Sequence, residues 1–165
     1  MKNKFLIQNS LLILMFLFSV QIANACGCPG LPDKPNAEEQ RKIFTNVLNN
    51  SVAVFTGEVI ANDMYSAKFK VDKVWKGDVG DEFTMSTGVI KISEKVGRSS
   101  SCIRSFAKGK SYLIFANNID LEYSNGQQLF VAYSCGKTRF LEQASEFIKI
   151  LDGLVTPEIR NKANN

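Results

Sequence analysis

Histidine is absent from all 165 residues, which removes the imidazole that Ser-His-Asp and Cys-His nucleophile systems, HExxH zinc peptidases and His-ligated metal sites require. Tryptophan occurs once and proline four times, three of the prolines between Cys26 and Pro35. An excess of charge of one sign is also lacking. The 20 Lys and Arg residues face 16 Asp and Glu residues, too even a balance for a nucleic-acid-binding surface. What is present is 45% hydrophobic residues, enough for one compact domain with an adequate core.

Met1, Lys2, Asn3 and Lys4 precede an apolar run from Leu11 to Val20, and Ala23-Asn24-Ala25 stands directly before Cys26. A basic start, an apolar middle and an A-x-A cleavage site predict a secretory signal peptide over residues 1–25. The run is shorter than the roughly 20 apolar residues of a spanning helix, so no membrane span is expected. Removing residues 1–25, which hold two lysines and no acid, leaves 140 residues with a net charge of +2. Lipid modification of Cys26 is the less favoured export route: position 23 is Ala rather than Leu, and lipidation would leave an odd thiol among Cys26, Cys28, Cys102 and Cys135. A secreted or extracytoplasmic monomer with two disulfides is expected.

The segment CGCPGLPDKP cannot be helical. Asn36 and Glu39 then have capping-box spacing, and Ile43, Phe44, Val47 and Leu48 form one apolar face of a helix that ends near Asn49-Asn50. Five strand regions follow: VAVFTGEVI from Val52, with Gly57 marking a bulge; AKFKVDKVW, slipping phase at Val74-Trp75; Glu82 to Ile92, split at Gly88; Tyr112 to Ala116; and Leu129 to Tyr133, with Asn125-Gly126 as a turn between the last two. Phe140, Leu141, Ala144, Phe147, Ile148 and Leu151 predict a closing amphipathic helix that stops at Gly153. The fold expected is all-β with flanking helices, a five-stranded OB-fold-like barrel over residues 26–153 with a flexible tail at 154–165; a β-sandwich is the alternative.

Cys26 and Cys28, two apart in an extended segment, point to opposite faces and do not bridge each other. Each needs a distant partner, and Cys102 and Cys135 remain. Either pairing closes loops of about 75 to 110 residues, for which chain entropy gives about 4 to 5 kcal/mol per bridge as an upper figure. Both would hold down a terminus that otherwise frays.

The C-x-C start with Pro29, the VWKGD run from Val74 to Asp78, the Ser101-Cys102 segment, and Cys135 before a terminal helix together resemble the tissue inhibitors of metalloproteinases and the wider netrin-like module. The resemblance covers most of residues 26–152 and implies a single-domain member without the second disulfide-rich domain of the animal inhibitors. It implies bridges Cys26–Cys102 and Cys28–Cys135, an inhibitory segment of Cys26, Gly27, Cys28 and Pro29, and an adjacent contact loop at Ser100 and Ser101. The implied function is inhibition of a zinc metalloprotease, and the alternative is a non-inhibitory netrin-like module that binds another extracellular protein.

The implied mechanism is chemically consistent. A free α-amine has a pKa of about 7.7 to 8.0, so a sizeable minority is neutral at pH 7. The amine nitrogen and carbonyl oxygen of Cys26 could close a five-membered chelate on the target's catalytic zinc and displace the water that hydrolysis needs. No imidazole is required. In the family the residue after the first Cys, commonly Ser or Thr, enters the enzyme's specificity pocket, whereas Gly27 fills none.

The remaining polar groups point to no enzyme and no cofactor. Gly136-Lys137-Thr138 lacks the glycine that a phosphate loop needs five residues earlier, where Val131 stands. Glu58, Asp72 and Glu82 read as solvated carboxylates, and Trp75 as a barrel-end core residue. Lys108 and Lys110, with Arg98 and Arg104 nearby in sequence, could line one basic patch, and a solvated loop explains them as well.

Overall fold

The computed structural model describes Cys26 and residues 35–91, 97–119 and 129–159. The proposed signal peptide, Gly27 to Lys34, the Asn125-Gly126 turn and the last six residues lie outside these. Helix α1, Ala37–Asn50, begins as its sequence requires: Asn36 Oδ1 accepts the Glu39 amide at 2.9 Å, and Glu39 Oε2 accepts the Asn36 amide at 2.9 Å. Its other end has no basic residue of its own. Lys76 Nζ, from the neighbouring sheet, donates to the Leu48 and Asn49 carbonyls at 2.8 Å each, placing a cation at the negative end of the helix dipole.

Strands β1 (Ala53–Asn62), β2 (Ser66–Lys76), β3 (Glu82–Ser86), β6 (Ser111–Ile119) and β7 (Leu129–Val131) form an antiparallel sheet in the order β3-β2-β1-β6-β7. Between β3 and β6, β4 (Val89–Lys91) and β5 (Gly97–Ser99) make a separate hairpin. The five-strand path corresponds to the five apolar regions of the sequence, except that Val89–Lys91, expected to continue the third, leaves the sheet to pair with β5. The sheet curls until its two edges approach, with the rings of Phe83 on β3 and Phe130 on β7 5.0 Å apart.

Alternation along the strands makes two cores. Phe55, Val59, Phe69, Val71, Tyr112 and Ile114 fill the inside of the curl, where Phe69 meets Phe55, Phe106 and Tyr112 edge-on. Val54, Trp75, Leu113 and Phe115 line the other face under the helices. The phase slip at Val74-Trp75 is a bulge: Phe55 pairs with Val74 but Val54 with Lys76, so Val74 stays inside and Trp75 turns to the helix side. Trp75 is thus core, although beneath the helices and not within the curl. A second irregularity sits at Thr56/Gly57, and a Cβ on Gly57 would lie 2.7 Å from the Lys70 carbonyl oxygen, which only glycine tolerates.

The C-terminal helix is shorter than its apolar stripe predicts. Phe140 belongs to β8 (Arg139–Phe140), which pairs with Tyr112 and Leu113 of β6, because the ladder and the stacked Tyr112–Phe140 rings, 4.8 Å apart, outcompete helix propensity. Leu141–Gln143 form one turn of 3-10 helix, and α2 runs only over Ser145–Asp152. Phe44 of α1 contacts Phe147 of α2 edge-on at 4.6 Å. The packed chain also extends past Gly153: Leu154 and Val155 join the helix-side core, and β9 (Glu158–Ile159) pairs with Lys73 and Val74 of β2, so part of the expected tail is docked.

Asp152 ties the end of α2 to β2. It accepts from Trp75 Nε1 at 2.8 Å and pairs with Lys73 Nζ at 2.8 Å. Burial works to raise its carboxyl pKa, but the hydrogen bonds from Lys73 and Trp75 and the Lys73 charge outweigh that and hold it below the ordinary value of 3.8. The resulting stability is complete at neutral pH, fades as the unfolded chain takes up its proton near 3.8, and is gone once the folded carboxyl protonates at lower pH. The side chain is 40% exposed, which limits the pair to about 1 kcal/mol. Asp152→Asn should lower the melting temperature at pH 7 by about 3 to 5 °C and leave a flatter acid limb, read by thermal melts from pH 7 to 2.

Candidate functional site

The site is assembled by a short stretch of chain that runs beside the end of β7. Ile103 bridges Tyr133, Arg104 N donates to the Ala132 carbonyl at 2.7 Å, and Ser134 N donates to the Cys102 carbonyl at 2.8 Å. Residues 102–104 and 132–134 are therefore antiparallel neighbours, which brings Cys102 beside Cys135. Cys26 is disulfide-bonded to Cys102, with the Cα atoms 5.4 Å apart. Its sulfur lies 3.8 Å from Cys135 Sγ, a van der Waals contact between oxidised sulfurs, since Cys135 is disulfide-bonded as well. Cys28, its expected partner, lies outside the described residues, as do Gly27 and Pro29.

Ser100 and Ser101 are exposed next to this bridge. The Ser100 amide donates to the Gly88 carbonyl at 3.3 Å and its carbonyl accepts from Ile103 at 3.2 Å, while Ser134 Oγ donates to the Ser101 carbonyl at 3.3 Å. The loop is thus braced on two sides. Gly88 has φ +82°, and a Cβ there would lie 2.6 Å from Ile103 Cβ, so glycine allows β3 and the Cys102 segment to close on each other. Of the expected site residues, the structure brings together Cys26, Cys102, Cys135, Ser100 and Ser101.

Two further surfaces had no clear sequence signal. At the β1–β2 turn, Met64 is 67% exposed, and Asp63 Oδ1 accepts the Tyr65 and Ser66 amides at 2.7 Å each. Those amides hold the Asp63 carboxyl below its ordinary range. Thr87 N donates to the Tyr65 carbonyl at 3.0 Å, which fixes the turn against the end of β3. The second surface is a groove of about 330 Å³ between α1 and the β7–β8 connection, whose lining includes Val47, Phe115, Tyr133, Cys135 and Lys137.

Lys137 and Arg139 sit on the rings of Phe44 and Phe147. The Arg139 guanidinium carbon lies 3.4 Å from the Phe147 ring centre, and Lys137 Nζ is 5.7 Å from it. Burial, then the Arg139 charge, lowers the Lys137 pKa; burial, then the Arg104 charge, lowers that of Arg139. Thr138 between them is no phosphate ligand, because its Oγ1 accepts the Phe115 amide at 2.9 Å. Lys108 and Lys110 are exposed, and Arg104 turns inward to the Thr138 carbonyl at 3.0 Å. Glu58 and Asp72 are exposed, and Glu82 pairs with Lys68.

Among the described residues no three His, Cys, Asp or Glu side chains gather as a metal-binding set, and no helix is long and apolar enough to cross a membrane. No family model, curated protein or solved structure matches the chain.

Proposed function

We propose that the chain acts outside the cytoplasm as an inhibitor of zinc metalloproteases, using the amine and carbonyl of Cys26 as a chelate for the target's zinc. The observation that carries the reading is the bond from Cys26 to Cys102, beside the exposed and braced Ser100-Ser101 loop. A terminus fixed in this way loses little chain entropy on docking, and the flanking serines offer hydrogen bonds to the enzyme's rim. The strand order β3-β2-β1-β6-β7 with converging edges supports reading the sheet as a five-stranded OB-fold-like barrel of the netrin-like kind.

The deciding experiment assays purified protein beginning at Cys26, with both disulfides formed, against a panel of zinc peptidases. Inhibition of at least one of them, competitive with substrate, is the expected result. Uniform inactivity would overturn the inhibitor reading in favour of a netrin-like module that binds another extracellular protein, the reading that the missing side chain at Gly27 favours.

A further inference from the structure

The groove between α1 and the β7–β8 connection is independent of zinc chelation and has its own chemistry. Its lining joins half-buried Val47 and Tyr133, 38% exposed, over Phe115, which is itself buried at 2% exposed, and includes Lys137. Arg139 stands next to Lys137 on the same Phe147 ring. Both cations are half-buried, and neither forms an ion pair with a carboxylate among the described residues. Among the described residues the Arg139 side chain makes one hydrogen bond, from Nε to the Lys137 carbonyl at 3.4 Å, which leaves the terminal nitrogens of its guanidinium for a carboxylate.

If these side chains served only to cover Phe44 and Phe147, apolar residues would do so without the cost of desolvating two like charges. An apolar slot beside two such cations complements a ligand that pairs an apolar side chain with an acid. We propose that this groove docks an extended peptide segment of a partner protein, with an apolar side chain between Val47 and Tyr133 and a neighbouring carboxylate on Lys137 and Arg139.

The test titrates the folded, oxidised chain, its Cys26 amine acetylated to remove chelation, with a capped Leu-Glu-Leu-Glu peptide and its Leu-Gln-Leu-Gln counterpart, followed by amide NMR. The proposal expects shifts confined to Val47, Ser51, Tyr133 and Gly136, at least about tenfold tighter binding of the acidic peptide, and weakening by salt. Lys137→Gln, which keeps much of its aliphatic stem, should abolish the preference for acid without changing the melting temperature; Arg139→Gln is the second variant. Equal binding of the two peptides, shifts scattered elsewhere, or an acid preference retained in both variants would overturn it. So would identical shifts from free glutamate, which would mark a bare anion site, or displacement of the peptide by phosphatidylglycerol vesicles, which would mark a membrane surface. Inactivity toward every zinc peptidase would leave this result untouched.

Discussion

Acetylating the Cys26 amine, or leaving Ala25 attached to it, is expected to abolish inhibition of any zinc peptidase that the free-amine protein inhibits. Either change removes the nitrogen lone pair and puts bulk where the metal should sit. A metal bond worth several kcal/mol corresponds to a loss of about 100-fold or more in inhibition constant. The fold should be unaffected, because among the described residues the contacts of Cys26 run through its sulfur. Intact mass, thermal melting and inhibition are measured on the same preparations. An acetylated protein that still inhibits would place the contact elsewhere, and one that no longer folds would make the terminus structural.

Cys102→Ser should have the largest effect on stability. Its bridge to Cys26 spans 76 residues, for which the chain-entropy figure is about 4.5 kcal/mol as an upper value. Against a total of about 5 to 15 kcal/mol for an ordinary domain, that is a large share. The melting temperature should fall by about 10 °C or more. Inhibition, measured well below the new midpoint, should weaken as well, because the untethered terminus must then be ordered at docking. Peptide mapping must accompany the melt: the freed Cys26 sulfur lies 3.8 Å from Cys135 in the native arrangement, so exchange into a new bridge would mask the loss.

The elements whose signals are local were legible in the sequence. Asn36 and Glu39 need only each other to start α1, and the phase slip at Val74-Trp75 coincides with an irregularity in the pairing register. Where a distant partner decides, the sequence misled. Phe140 fits a helical stripe, yet Tyr112 draws it into a ladder. Glu158 and Ile159 resemble a frayed end, yet two backbone positions on β2 receive them. The site divides in the same way. The C-x-C pair pointed to distant partners, and Cys26 meets Cys102. The groove was invisible, because Val47, Phe115 and Lys137 converge from three elements, and Lys137 and Arg139 show their two-ring setting only once α2 packs on α1.

Helix α1 carries its first cap within its own sequence, whereas at its last turn Ser51 bonds only the Val47 carbonyl and the Leu48 and Asn49 carbonyls are capped by Lys76, which lies 28 residues after Leu48. During folding the two ends of the helix therefore follow different clocks. The Asn36–Glu39 end can form as soon as its own residues are free to coil, on the sub-microsecond scale of helix initiation. The Leu48-Asn49 end must await the β1–β2 hairpin, whose closure is slower. Until then the Leu48 and Asn49 carbonyls lack that cation, and Phe44 has no sheet to bury against. The hairpin thus sets the pace at which the helix-side core closes.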